Sequence, residues 1–215
     1  MAGKQNCRIY IYRKGFMPNF PVYKCQIDDS LESELQVEFI AMVDKPAIEK
    51  HFLAFNEAKI SFAIDDERRI VSGPAMIADM LIYRNDVGGL GEYYTVFDKQ
   101  TILSIVQKFF KKGFIKNFNM MHNPDEKTKD ITIYESFITD SARGIMPMKG
   151  FEDVGEGSWF ITAKVDDDAA WEDVKAGKIK AFSVEGIFKQ IPVIQPKMSA
   201  EQALEKIQLL ISMIE

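Results

Sequence analysis

Histidine is almost missing from this chain: its 215 residues include only His51 and His122. Acid–base chemistry that needs an imidazole titrating near neutrality must use one of these two. Cysteine is as sparse, at Cys7 and Cys25. That excludes a disulfide framework and fits free thiols in a reducing compartment. So few and so dispersed, these histidines and cysteines offer no zinc-ligand spacing. No run approaches the roughly 18 uninterrupted apolar residues of a membrane span. Arg8, Arg13 and Lys14 interrupt the N-terminal run, so no secretory signal is expected. A net charge of -5 gives no bulk attraction to nucleic acid or anionic membranes. Gly88-Gly89-Leu90-Gly91 lacks the Gly-Lys-Ser/Thr ending of a phosphate loop, and Asp166-Asp167-Asp168 lacks the spacing of a calcium loop.

What the chain does have is core-forming material: 47% hydrophobic residues, with 16 Phe and 7 Tyr. Short apolar runs with strand character recur at 7–12, 35–43, 69–75, 76–84, 92–97, 118–122, 131–139, 157–165 and 180–188. One helix is well marked. Asp98 is placed to cap it, Ile102, Val106 and Phe109 repeat at helical spacing, and Gly113 suits the residue beyond its end. Lys108, Lys111 and Lys112 load its last turn as a solvated helix end, where the helix dipole favours cations. The acidic triplet at 166–168 caps a second, short helix carrying Trp171 and Val174 and closed by Gly177. A polar turn is expected at 123–130 and a linker at 191–197. After the linker, Ser199 and Gln202 form a capping box for a last helix with Leu204, Ile207, Ile211 and Ile214 as its apolar stripe. Strands and helices do not alternate regularly, which argues against a doubly wound parallel sheet. The expected fold is α+β, an antiparallel barrel-like sheet with surrounding helices. The expected division is one domain over 1–192, then a linker and amphipathic helix over 193–215.

Three residues stand out for chemistry. His122 falls where a strand gives way to a loop, a position from which rigid scaffolds present functional groups. His51, in Glu49-Lys50-His51-Phe52, reads as a surface imidazole. Ser183 sits in Ala181-Phe182-Ser183-Val184-Glu185-Gly186. This is not a Gly-x-Ser-x-Gly elbow, and Ser183 reads equally as a small polar residue on a strand. Glu135 follows Ile131 and Ile133 at period two, so alternation puts it on an otherwise apolar face, where a carboxylate wants a partner. A histidine is one candidate; a solvated strand face is the alternative.

Taken in order, these segments resemble a known family. A His122-Asn123 pair follows an apolar run, and a Glu lies within the next strand. Then come Gly157-Ser158-Trp159, an acidic turn, a Trp-bearing helix, Lys175-Ala176-Gly177-Lys178-Ile179 and the Ala-Phe-Ser-x-x-Gly strand. Upstream, Val43-Asp44-Lys45-Pro46-Ala47 and Ile70-Val71-Ser72-Gly73-Pro74-Ala75 are similar to early segments of the same family. The pattern resembles the prohead-maturation serine proteases of tailed phages, which are related to the herpesvirus assemblins. The resemblance implies a herpesvirus-protease-like fold, with Ser183 as nucleophile, His122 as general base and Glu135 as the acid that orients it. Asp140, at the end of the same strand, is the alternative acid. It also implies an endopeptidase that needs no cofactor, takes scaffold and capsid proteins and itself as substrates, and works in the host cytoplasm inside the immature procapsid. A homo-oligomer is compatible with it; nucleic acid and membrane are not implied as partners. The rival readings are a non-catalytic assembly protein that keeps the protease fold, and a small-molecule esterase.

Overall fold

The computed structural model describes residues 20–44, 61, 63–85, 91–128 and 130–193. His51, Cys7, the strand expected at 7–12 and the last amphipathic helix lie outside the described residues.

Among the described residues, three four-stranded sheets make up the body. The first runs β12 (Lys189–Pro192), β1 (Val22–Gln26), β6 (Glu92–Val96), β5 (Ile82–Asn85). The second runs β3 (Ala63–Asp65), β4 (Ile70–Met76), β10 (Trp159–Val165), β9 (Ile131–Ile138). The third runs β11 (Ala181–Ile187), β2 (Gln36–Val43), β7 (Phe118–Met120), β8 (Asn123–Thr128). Most pairings are antiparallel, but β1 with β6 and β2 with β7 are parallel. The fold is therefore α+β and mostly sheet, as expected, but the expected barrel is corrected: among the described residues the three sheets do not close into one. The segment expected as a polar turn, 123–130, contains β8, and the expected linker at 191–197 begins within β12. Both are strands of polar sequence whose ladders are completed by partners distant or adjacent in the chain, a contribution that apolar periodicity does not register.

Among the described residues two α-helices accompany the sheets, α1 (Lys99–Lys111) and α2 (Asp168–Lys175). The Asp98 side chain caps α1 by accepting from the Thr101 N–H at 2.9 Å, and Asp167 does the same for α2 with Ala170 at 2.9 Å. Gly113, at φ 72°, takes the left-handed turn that ends α1. Ile102, Ile105 and Phe109 bury the inner face of α1 against β2 and the ring of Trp159, whose indole N–H donates to Ser136 Oγ at 2.9 Å. Lys108 is not the solvated helix end its position suggests. It is 3% exposed, and its ammonium donates to the carbonyls of Asp28, Ser33 and Leu35 at 2.8, 2.9 and 3.1 Å. Three donors on one head satisfy three carbonyls and tie the β1–β2 connection to α1. No helix among the described residues is long and apolar enough to cross a membrane.

The third sheet has two different faces. Ile40 and Met42 of β2, Phe118 of β7 and Phe182 of β11 point into the main core. Alternation sends their neighbours Ala41, Val43, Ala181, Ser183 and Asn119 to the opposite side. There, Ala41, Val43 and Ala181 form a small apolar cluster of their own.

Candidate active site

Ser183 is opposite Ala41 on β11–β2, and Ala41 is opposite Asn119 on β2–β7. The three residues therefore form a lateral row on the non-core face. Glu185, two residues after Ser183, shares that face. Gly186 then allows the strand to pass close to β2: a Cβ at this position would lie 2.0 Å from the Gln36 carbonyl oxygen. The register slips by one residue between Glu185 and Gly186. This irregularity falls immediately after the acid, a place where bulges re-aim side chains.

His122 comes from a different device. β7 and β8 form a hairpin with Met120 opposite Asn123, so Met121 and His122 are its two-residue connection. Both have positive φ, 53° and 60°, as a type I′ turn requires. Neither is glycine or asparagine, so each carries about 1–2 kcal/mol of left-handed strain. Two contacts hold the turn: the Met121 N–H donates to the Met42 carbonyl at 3.0 Å, and the Asp44 N–H donates to Met121 Sδ at 3.4 Å. The turn swings the imidazole back over the row of Ser183, Ala41 and Asn119.

The resulting geometry is compact. His122 Nε2 lies 3.1 Å from Ser183 Oγ. His122 Nδ1 lies 3.4 Å from Glu185 Oε2, and that same oxygen accepts from Asn119 Nδ2 at 2.7 Å. A carboxylate facing Nδ1 favours the tautomer with its proton there, which leaves Nε2 free to accept from the serine hydroxyl. Ser183 is 8% exposed, whereas the side chains of His122 and Glu185 are 42% and 38% exposed. Ser183 is thus embedded in the sheet while His122 and Glu185 border solvent. The chain Ser183–His122–Glu185 has the form of a nucleophile, a base and an orienting acid.

The structure thus brings His122 and Ser183 together, but it does not bring Glu135 to them. Glu135 lies on β9 in the second sheet, opposite Thr162 of β10, and is exposed. The expected run of Ile131, Ile133, Glu135 and Phe137 along one face is broken. The β9–β10 register slips between Thr162 and Ala163: Ile133 faces Ala163 while Glu135 faces Thr162. Adjacent residues of β10 point to opposite sides, so Ile133 and Glu135 do too, although they are two apart in sequence. Asp140 is also elsewhere, capping a 3-10 turn at Ser141–Arg143 through the Arg143 N–H at 3.3 Å. The acid beside His122, Glu185, was overlooked in the sequence. The signal available was the spacing Ser183-x-Glu185, which places both side chains on one strand face.

A family model described as "Putative phage serine protease XkdF" matches residues 57–192. No curated protein and no solved structure matches the chain.

Proposed function

From a chain that belongs to the phage serine protease XkdF family, we propose a serine endopeptidase in which Ser183 is the nucleophile, His122 the general base and Glu185 the acid that orients it. Its substrates are the scaffold and capsid proteins of the procapsid, and the chain itself, cut inside the immature particle during maturation. The observation that carries this reading is the 3.1 Å approach of His122 Nε2 to Ser183 Oγ in a member of that family.

In the proposed reaction His122 Nε2 removes the Ser183 proton as Oγ attacks the scissile carbonyl carbon. Glu185 stabilises the imidazolium that forms, without itself taking the proton. The tetrahedral intermediate collapses as the amide C–N bond breaks, and His122 Nε2 passes its proton to the leaving amine. Water then enters. His122 takes a proton from it, hydroxide adds to the acyl carbon, and the ester bond to Ser183 breaks as Oγ is reprotonated. No metal or organic cofactor has a part in this sequence of steps.

Co-expression of the chain with its neighbouring capsid genes tests the proposal. The wild type should process scaffold or capsid protein, and Ser183→Ala should leave both uncut while still folding. Loss of the nucleophile in a serine protease costs on the order of 10⁶ in turnover. Normal processing by Ser183→Ala would point instead to an assembly protein that keeps the protease fold.

A further inference from the structure

Asn119 has no part in the steps above, yet it is placed where few residues would be tolerated. It is 1% exposed on the central part of the site sheet. Its amide nitrogen donates to Glu185 Oε2 at 2.7 Å, while its carbonyl oxygen is buried and has no hydrogen-bond partner among the described residues. The opposite orientation of the amide would set two acceptors against each other at that distance, so the nitrogen must face the carboxylate. A buried carbonyl without a partner works against folding. An apolar side chain of similar size at this position would carry no such penalty.

Ala41 lies between Asn119 and Ser183 in the lateral row and has no side chain beyond Cβ. Glu185 faces Phe39 on β2, so its carboxylate reaches diagonally across that strand to Asn119 on β7. In doing so its Oε2 comes to the Nδ1 side of His122. Glu185 is a half-exposed side chain with several rotatable bonds. The hydrogen bond from Asn119 is the shorter and better formed of the two it accepts. It selects one rotamer of the acid, and that rotamer faces the histidine.

Resting on the assignment of Ser183 and His122 above, we infer that Asn119 is a positioning residue that pins the Glu185 carboxylate against His122 Nδ1. It acts on the reaction only through Glu185 and is retained at a cost to stability. This has two consequences that a packing role would not share. Asn119→Leu should match or exceed the wild type in melting temperature and yet be slower. Its effect should also vanish once Glu185 is gone.

The test uses the full chain and a fluorophosphonate probe, which reports Ser183 reactivity without a known substrate. The Oγ–P bond forms as the P–F bond breaks, fluoride leaves, and the hydroxyl proton passes to His122. Asn119→Leu should label about 10- to 100-fold more slowly than the wild type, the scale of loss for a misplaced group of about 1 Å. In the Glu185→Ala background, adding Asn119→Leu should change the rate less than about 2-fold, because residues that act as one unit are not additive. A wild-type labelling rate for Asn119→Leu overturns the inference. So does an equal further loss in the Glu185→Ala background, or a lower melting temperature that accounts for the slower labelling. Where Asn119→Leu does not fold, Asn119→Ala carries the same two-background comparison below its own melting temperature. Failure of the wild type itself to label would reject the proposed function rather than the role of Asn119.

Discussion

Glu135 and Glu185 are both acids in the middle of a strand, and both strands are otherwise rich in hydrophobic residues. Their surroundings differ completely. Glu185 lies on a strand whose partner β2 continues to β7, so its carboxylate meets Asn119 and His122 across two strands. Glu135 lies on β9, at the edge of the second sheet, with a register slip behind it and solvent before it. A strand acid gains a chemical role from what the next strands place on its face. Its own neighbours in sequence do not decide this.

The comparison breaks most sharply at Glu185→Gln. This change keeps the shape and removes the charge. It should slow Ser183 labelling about 10²- to 10⁴-fold, with the upper figure applying to a fully buried acid that controls the tautomer. Slow labelling by Glu135→Gln with normal labelling by Glu185→Gln would reverse the assignment of the acid.

The next effect concerns the backbone that aims Glu185. A Cβ at Gly186 would collide with the Gln36 carbonyl and lie 2.8 Å from Val37 Cα, so β11 must move away from β2. Gly186→Ala should cost about 1–3 kcal/mol in urea unfolding, the range for overpacking a tight site, and should slow labelling as well. Gly155→Ala supplies the contrast. Its nearest neighbour for a new Cβ is 3.9 Å away, and a change within about 0.5 kcal/mol is expected. Equal losses at the two positions would show that β11 tolerates displacement from β2.

Asp98 calibrates what a structural acid contributes. Burial pushes its carboxyl up, but the Lys24 ammonium and the Thr101 hydrogen bonds outweigh this and hold it below the ordinary value of 3.8. Asp98→Ala should lose about 1 kcal/mol, as for other helix N-caps. A depressed carboxyl stabilises the fold above its unfolded value and loses that contribution as the pH falls through its folded value. The difference between wild type and Asp98→Ala should therefore be full at neutral pH and shrink as the pH falls below 3.8. Labelling of Ser183 should not change.

The smallest effect is expected at Glu135→Gln: labelling within about 2-fold and stability within about 0.5 kcal/mol, as for exposed positions away from special features. Paired with Glu185→Gln in one labelling experiment, it shows whether the two strand acids differ as their surroundings do.

The helices α1 and α2 and most of the central strands are legible in the sequence, because caps, helical spacing and period-two runs are local signals. β8 and β12 are not, since their residues are polar or follow proline and become strands only by pairing with β7 and β1. Lys108 is misleading for a related reason. A lysine in the last turn of a helix suits solvent, and only the three carbonyls of the β1–β2 connection make it a buried donor.

By itself the sequence determined which chemistry was available: two histidines, a serine between core residues, and the family pattern that links His122 to Ser183. It also determined that Ser183 and Glu185 share one face of a strand, since side chains on a strand alternate. The tertiary structure decided which acid meets the imidazole. That choice depends on a hairpin whose two connecting residues take positive φ, on an Asn119 two strands away that the carboxylate reaches, and on register slips in β9–β10 and β11–β2. A register slip moves side chains from one face of a sheet to the other without altering the local sequence pattern. Only the assembled sheets therefore place Glu185 beside His122 and turn Glu135 toward solvent.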